Sequence, residues 1–455
     1  MRQNRIYFFS EMRAAHRFLR IGIFLAVFFL TSHSRLQAQD AQELKKEIEQ
    51  LRDQNRLLQE QLQQQRQMID QLSGKISGLQ QTNQQNQTDL RALQASVENA
   101  PAPPEKSKSF SLGNVVISGE GAAGFFDTQS GGKYPNSAFL LDEARLFVDA
   151  PIWQDVYFYG EVDLQTREEY DLGVYLGELY LEWESLGKYW NHDESLNVRL
   201  GQFYTPFGEE YQNRFAIDNA LISHSLSDLW GLNPGLELYG TLKPLSYVVA
   251  VQNGGNSTLN DFTADKLVAG RIGYDPASCL HLSVSGMRTG HLSVAKDYIS
   301  SEWFGGGFFS PLGAPATTLF QANVAEADAE ARWKGGYVRL AGGYAGYDDN
   351  NPAGDDHRDI YYYYLEALQH VTPKFYGAMR WSQIRVPEGY PIVADSPVFP
   401  GLSTSDIWRL SLGLGYRFNE HLLLKIEYAF EQGRLSSGGD RNGDNFFAAE
   451  AAFKF

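Results

Sequence analysis

The chain has 455 residues, with 39 Lys and Arg against 55 Asp and Glu, a formal charge of −16, and one cysteine, Cys279. That balance provides no basic stripe for nucleic acid, and a single thiol excludes an internal disulfide framework and a multi-cysteine zinc site. Tyrosine (25) and phenylalanine (28) are abundant, and no glycine-rich nucleotide-binding loop is present.

Residues 1–38 read as a secretory signal: Arg2, Arg5, Arg13, Arg17 and Arg20 precede an apolar run from Ile21 to Leu30, and cleavage is expected after Ala38, although Leu36 departs from the usual small residue. The run is shorter than the roughly 20 residues that span a bilayer. Met12 is an alternative start. From Leu44 to Val97 apolar residues recur at alternating spacings of four and three, which predicts a coiled coil over 40–98. Asn55, Gln65, Asn83 and Asn86 lie on its seam, where buried amides align the register, and the Ile and Leu distribution leans towards two strands. Residues 99–109 (NAPAPPEKSKS) form a Pro, Ser and Lys linker that ends the helix.

Beyond residue 109 the period changes to two. Sixteen candidate strands follow, from 112–127 to 445–455, and their faces separate. Ala325, Ala327 and Ala329 oppose Glu326, Asp328 and Glu330; Leu422, Leu424 and Ile426 oppose Lys425 and Glu427. Charge on one face of so many strands does not fit a dry core, so it lines a wet lumen or meets bulk water. Connectors alternate between short turns and long Gly, Asn and Asp-rich loops, and an even strand count suits closure. The reading is an all-β transmembrane barrel of 16 antiparallel strands, preceded by an α-helical coiled coil, over residues 110–455. Trp153, Trp183, Tyr189, Trp190, Trp333, Tyr337, Trp381 and Trp408 gather at strand ends as interfacial girdles would. The last strand, NFFAAEAAFKF, ends on Phe455 and resembles the terminal signal read by the outer-membrane barrel assembly machinery.

The longest connectors, 205–233, 290–320 and 387–404, are the places to seek a constriction. The first carries Gly201-Gln-Phe-Tyr-Thr-Pro-Phe-Gly208, which resembles the Gly-Gln-Phe-x-x-Pro-Phe-Gly block of the phosphate-selective porin O and P family. The likeness extends loosely over Asp142 to Leu164, over Gly235 to Gly240 and to the last strand. It implies a trimeric sixteen-stranded channel of the outer membrane with its third long loop folded inward. Tyr204 stands where that family often has Lys. Beyond residue 109 there are 24 basic and 44 acidic residues, a balance of −20, so selectivity for phosphate does not carry over with the resemblance.

Candidate pore-lining residues are Arg145, Arg199, Tyr204, Arg271, Arg332, Arg339, Arg380, Arg409, Arg417, Glu161, Asp163, Glu178 and Glu330, and for any single Arg a salt bridge within the wall is the plainer role. His281, Ser283 and Ser285 share a strand face, but no oxyanion donor or orienting acid accompanies them, so a hydrolase is a distant alternative. Asp440, Asn442 and Asp444 lack the bidentate Glu of a calcium loop. The expected function is passive diffusion of small hydrophilic solutes or ions, with no catalysis, cofactor or metal. Alternatives are a sugar-selective porin, marked by eighteen strands and a helical line of lumenal aromatics, and a tether from the outer membrane to the cell wall. Implied partners are outer-membrane lipid, two further copies of the chain, the assembly machinery through Phe455 and peptidoglycan around the rod.

Overall fold

The computed structural model describes residues 115–129, 132–166, 173–255, 260–313, 316–354, 356–392, 403–442 and 444–455. The expected signal, coiled coil and linker lie outside the described residues. Eighteen strands share one sheet, and two of them, Leu292–Ser293 and Asp440–Arg441, are two-residue stubs. The remaining sixteen form the wall: β1 (Val116–Thr128), β2 (Ala138–Trp153), β3 (Val156–Gln165), β4 (Tyr175–Trp183), β5 (Asn197–Tyr204), β6 (Leu232–Leu242), β7 (Leu245–Gln252), β8 (Leu267–Ala277), β9 (Leu280–Arg288), β10 (Leu319–Trp333), β11 (Gly336–Asp349), β12 (Arg358–His370), β13 (Phe375–Pro391), β14 (Ser403–Asn419), β15 (Leu422–Leu435) and β16 (Phe446–Lys454). Each pairs antiparallel with its sequence neighbour. β1 pairs with both β2 and β16, from Glu120↔Lys454 to Thr128↔Phe446, so the sheet has no free edge.

Alternation places the apolar side chains outside. Leu146, Leu181, Leu200, Ile272, Leu412 and Ile426 are exposed, while Arg145, Glu182, Glu237, Lys425 and Glu427 on the opposite faces are buried. Backbone hydrogen bonding is complete around a closed ladder, which lets strands cross a medium that offers no partners. Among the described residues no helix is long and apolar enough to cross a membrane. Trp381 and Trp408 stack on the outside at 4.9 Å, and Trp153, Trp183 and Trp333 are exposed near the short-turn end. Tyr337 departs from the girdle expectation. It lies on the inner face, where its hydroxyl donates to Glu366 Oε1 at 2.8 Å and Arg339 covers its ring.

The lumen is more filled than a water-lined cylinder. Loops 205–231 and 289–313 fold into it, and their two-residue strands pair through Trp303↔Trp230 and Phe304↔Leu229. Phe207, Leu226, Leu229, Phe304 and Phe309 form one buried cluster with inward residues of β8 to β14, among them Met287, Tyr347, Tyr362 and Ile384. Part of the inner face is therefore an apolar core, and the charged positions lie beside it.

Candidate functional site

The block that enters the first inner loop has a local reason for its residues. Gly201 holds φ of +146°, and a Cβ there would stand 2.2 Å from Leu179 O; Gly208 sits in the left-handed region at φ +66°. Only glycine adopts either at low cost. Gln202 donates to Leu176 O (3.0 Å) and Gly177 O (2.7 Å), Phe203 is fully buried against Tyr180, and Phe207 joins the apolar cluster. This short run launches the chain from the end of β5 into the barrel.

Once inside, the loop is irregular, so its amides and carbonyls need partners from elsewhere. The wall supplies them with charge. Glu143 on β2 accepts from Ala216 N (2.9 Å), and Glu427 on β15 accepts from Ile222 N (2.6 Å) and Ser223 N (2.7 Å). In the opposite sense, Lys425 donates to Ala216 O (2.7 Å) and Leu221 O (2.9 Å), Arg380 to Ser223 O (2.7 Å), and Arg417 to Ile217 O (2.9 Å). Two neutral wall hydroxyls, Ser285 and Ser382, accept from Gly208 N and Leu226 N. The loop thus leaves the β5 wall, passes β9 and β2, and is tied to β13, β14 and β15. Apolar contacts reinforce the tie: Ala216, Ile217, Ala220 and Leu221 pack on Ala122, Tyr376, Leu423 and Ala452.

The sequence candidates fall into three settings. Arg145, Glu161 and Asp163 form a buried group on β2 and β3, with the guanidinium 3.6 and 3.4 Å from the two carboxylates and Phe215 of the loop 4.4 Å from its centre. Glu178 joins them, since its backbone N–H donates to Glu161 and its carboxylate accepts from Tyr204 N at 3.0 Å. Arg199 bridges Glu182 (2.9 Å) and Glu237 (3.1 Å), and Arg271 pairs with Glu209 of the loop at 3.1 Å. Arg339 joins Glu330 and Glu366; Arg380 also pairs with Glu366, and Arg409 with Glu431. Arg332 pairs with Glu330 but is 61% exposed at the short-turn rim. Each guanidinium is thus engaged by a carboxylate or, for Arg417, by a loop carbonyl.

The strand trio resolves into structural contacts. Ser283 donates to Asp328, Ser285 holds Gly208, and His281 lies between Asp275 (2.8 Å) and Glu209 (3.1 Å). Asp444 pairs with Arg441 at 3.3 Å. Two polar cavities open beside the loop: one of about 290 Å³ between Gln212 and Asn213 and the β9 to β12 wall, another of about 200 Å³ between Tyr211 and the β5 to β8 wall.

The second inner loop contributes Glu302, a buried carboxylate that accepts from Asn233 Nδ2 at 2.5 Å and from Thr205 at 3.5 Å, tying the middle of that loop to the root of the first and the start of β6. Burial pushes its carboxyl up from the usual 4.5 to about 7, against the lowering effect of those two hydrogen bonds. The docked state therefore keeps a proton that the undocked state releases. Docking is strongest below about pH 4.5 and weakens as pH rises through about 7. Proteolysis within 289–313 is expected to be faster at pH 8 than at pH 5, and Glu302→Gln should abolish the difference. A pH dependence that survives the substitution would remove Glu302 as its source.

No family model matches the chain, and no curated protein matches it in sequence. Solved structures do. A loop L8 deletion mutant of OmpT, an outer membrane protein of Vibrio cholerae, superposes with a TM-score of 0.51 at 13% identity, covering 76% of this chain and 100% of that one. The outer membrane channel DcaP of Acinetobacter baumannii gives 0.51 at 13% identity, covering 75% and 97%. At such identity the likeness is one of fold, a closed antiparallel barrel of sixteen strands.

Proposed function

We propose that this chain is an outer-membrane porin, through which small hydrophilic solutes diffuse past a lumenal loop that sets the bore. The observation that carries this reading is loop 205–231, held across the interior of a closed, externally apolar barrel by wall charges on its far side. A barrel serving only as an anchor has no need of so specific a partition. Assembly as a homotrimer in outer-membrane lipid accompanies the proposal and is open to crosslinking.

The reading does not extend to selection of phosphate. An anion filter needs guanidinium or ammonium groups whose field is not already cancelled. Here Arg145, Arg199, Arg339, Arg380 and Arg409 all stand in ion pairs, within a body of formal charge −20. In planar bilayers the purified protein is expected to give discrete conductance steps, with a reversal potential in a KCl gradient that favours K⁺ and no competition from added orthophosphate. A current trace without steps would sink the porin reading. A reversal potential favouring Cl⁻ would sink the cation preference alone.

A further inference from the structure

The outward side of β13, β14 and β15 is built in three tiers, and the uppermost holds cationic groups that the barrel leaves unused. At the long-loop end one row of cross-strand partners reads Arg385, Asp406, Arg434 and Asp440, from β13 across β14 and β15 to the stub Asp440–Arg441. The row lies on the outer face: Ile384, Ile407 and Arg441 next to it in sequence are buried, whereas Arg385, Arg434 and Asp440 are exposed. A polar cavity of about 730 Å³ opens among these side chains, and the row beneath, Gln383, Trp408 and Gln432, forms its lower edge.

Arg434 stands between two carboxylate-bearing neighbours, yet among the described residues its guanidinium makes no ion pair and no hydrogen bond; only its carbonyl is used, by Ser405 Oγ at 3.2 Å. Arg385 is 67% exposed and meets Asp406 through Nε at 3.3 Å, while Asp406 also accepts from Gln383 at 3.1 Å. Elsewhere on the outer rim a guanidinium is fully engaged, for Arg288 holds both oxygens of Asp265, at 3.1 and 2.5 Å. The middle tier is apolar and aromatic: Trp381, Leu410 and Phe430 face outward side by side, and Trp408 stacks on Trp381. Below Met379, Leu412 and Tyr428 lies a groove of about 680 Å³ whose floor includes Ala367 and Gly377. The floor is low because the side chains there are small; a Cβ on Gly377 would touch only Leu414, at 3.8 Å. From Arg385 to Met379 the strand climbs down six residues, about 20 Å of chain. At the usual tilt of roughly 45° that is about 14 Å of depth, close to one leaflet of a hydrocarbon core about 30 Å thick.

Open guanidinium forks one leaflet above an apolar groove match an anionic lipid. The planar fork grips a phosphate through two parallel N–H bonds. The cavity is far larger than a phosphate needs and falls in the range that holds a drug-sized group. Asp440, Gln432 and Asn442 on its lining accept from and donate to hydroxyls, which a phosphate monoester on a sugar carries beside its charge. Long loops lie on the extracellular side of such barrels, so this tier meets the outer leaflet. Resting on the outer-membrane placement in the porin reading, we propose that the outward face of β13 to β15 docks a phosphorylated glycolipid, with its phosphate on Arg385 and Arg434 and an acyl chain descending over Leu410 and Phe430 to the groove at Gly377. A zwitterionic phospholipid suits the alternating charges of the row but has no hydroxyls for the amides, and free orthophosphate has no chain for the groove.

The test is native mass spectrometry of the full-length protein in detergent, titrated with diphosphorylated lipid A, its dephosphorylated form, its deacylated sugar phosphate and phosphatidylethanolamine. Lipid A should be retained saturably, and each of the other three at least tenfold more weakly. Arg434→Gln and Arg385→Gln should each weaken retention of lipid A about tenfold, the loss of a charge-assisted contact. Arg288→Gln, on the same rim but paired, should leave it unchanged. Heat-modifiable gel migration verifies that every variant is folded. Equal retention of the dephosphorylated form, of the deacylated form or of phosphatidylethanolamine would overturn the site, as would unchanged retention in both folded arginine variants or displacement of lipid A by orthophosphate. Binding is read here as mass and conduction as current steps. A barrel that retains lipid A but passes no ions would sink the porin reading alone, and one that conducts without retaining it would sink this site alone.

Discussion

Lys425→Met is expected to destabilise the folded barrel by about 3–5 kcal/mol, the usual result of stranding one member of a buried ion pair. The Nζ of Lys425 stands 2.9 Å from Glu450 Oε1, and the two side chains are 1% and 0% exposed. The same ammonium carries two loop carbonyls, Ala216 O and Leu221 O. Removing it strips a buried carboxylate of this ion pair and takes the ammonium donor from two loop carbonyls, in a site that water does not reach. Methionine keeps most of the volume, so the loss is electrostatic rather than a cavity. Urea unfolding of the detergent-solubilised protein, followed by tryptophan emission, measures it. The double variant Lys425→Met with Glu450→Gln should recover part of the loss, because the charge left behind is gone while the loop carbonyls still lack the ammonium. An unshifted midpoint in the single variant would mean that the pair is hydrated and contributes little.

Glu427→Ala is expected to free the tip of the first inner loop and raise both the mean conductance and the current noise of the open channel. Its carboxylate accepts two loop N–H groups and the hydroxyl of Ser223. Hydrogen bonds to a charged group contribute about 1.5–3 kcal/mol each. Losing even 3 kcal/mol shifts the docked-to-undocked ratio by about a hundredfold. Ile222 would leave the apolar contacts it makes with Phe126, Ala429 and Phe446, while Ser223 would keep Arg380 and Asn219 on its carbonyl and Ser411 beside its hydroxyl. Glu427→Gln retains one acceptor oxygen and should show a smaller change in the same direction. Identical traces from Ala and wild type would indicate that apolar packing, not the wall carboxylate, holds the loop.

The strand register was legible because barrel walls impose a period that composition cannot disguise. Ala325, Ala327 and Ala329 against Glu326, Asp328 and Glu330 permit only one orientation when one side is apolar. The last expected strand, 445–455, appears as β16 with each end moved by one residue. The site was legible only as a set of residue types. Arg380 and Lys425 were recognisable as inward-facing, but their partners Ser223 and Ala216 lie about 160 and 210 residues away in sequence, in a loop without periodicity. The pairing of the two inner loops was hidden for the same reason: Trp230 and Trp303 meet at 5.7 Å from loops without periodicity, and no spacing in the chain announces it.

By itself the amino-acid order determined the sixteen strands, their inward and outward faces and the alternation of short turns with long loops. These follow from a two-residue repeat and from turn residues, both local properties of the backbone. Tertiary structure alone decided how the inner loops are fastened across the lumen, and that the wall's charges are spent largely on loop backbone and on one another. Such outcomes depend on which surfaces meet across the barrel, and a chain states them only when it is closed.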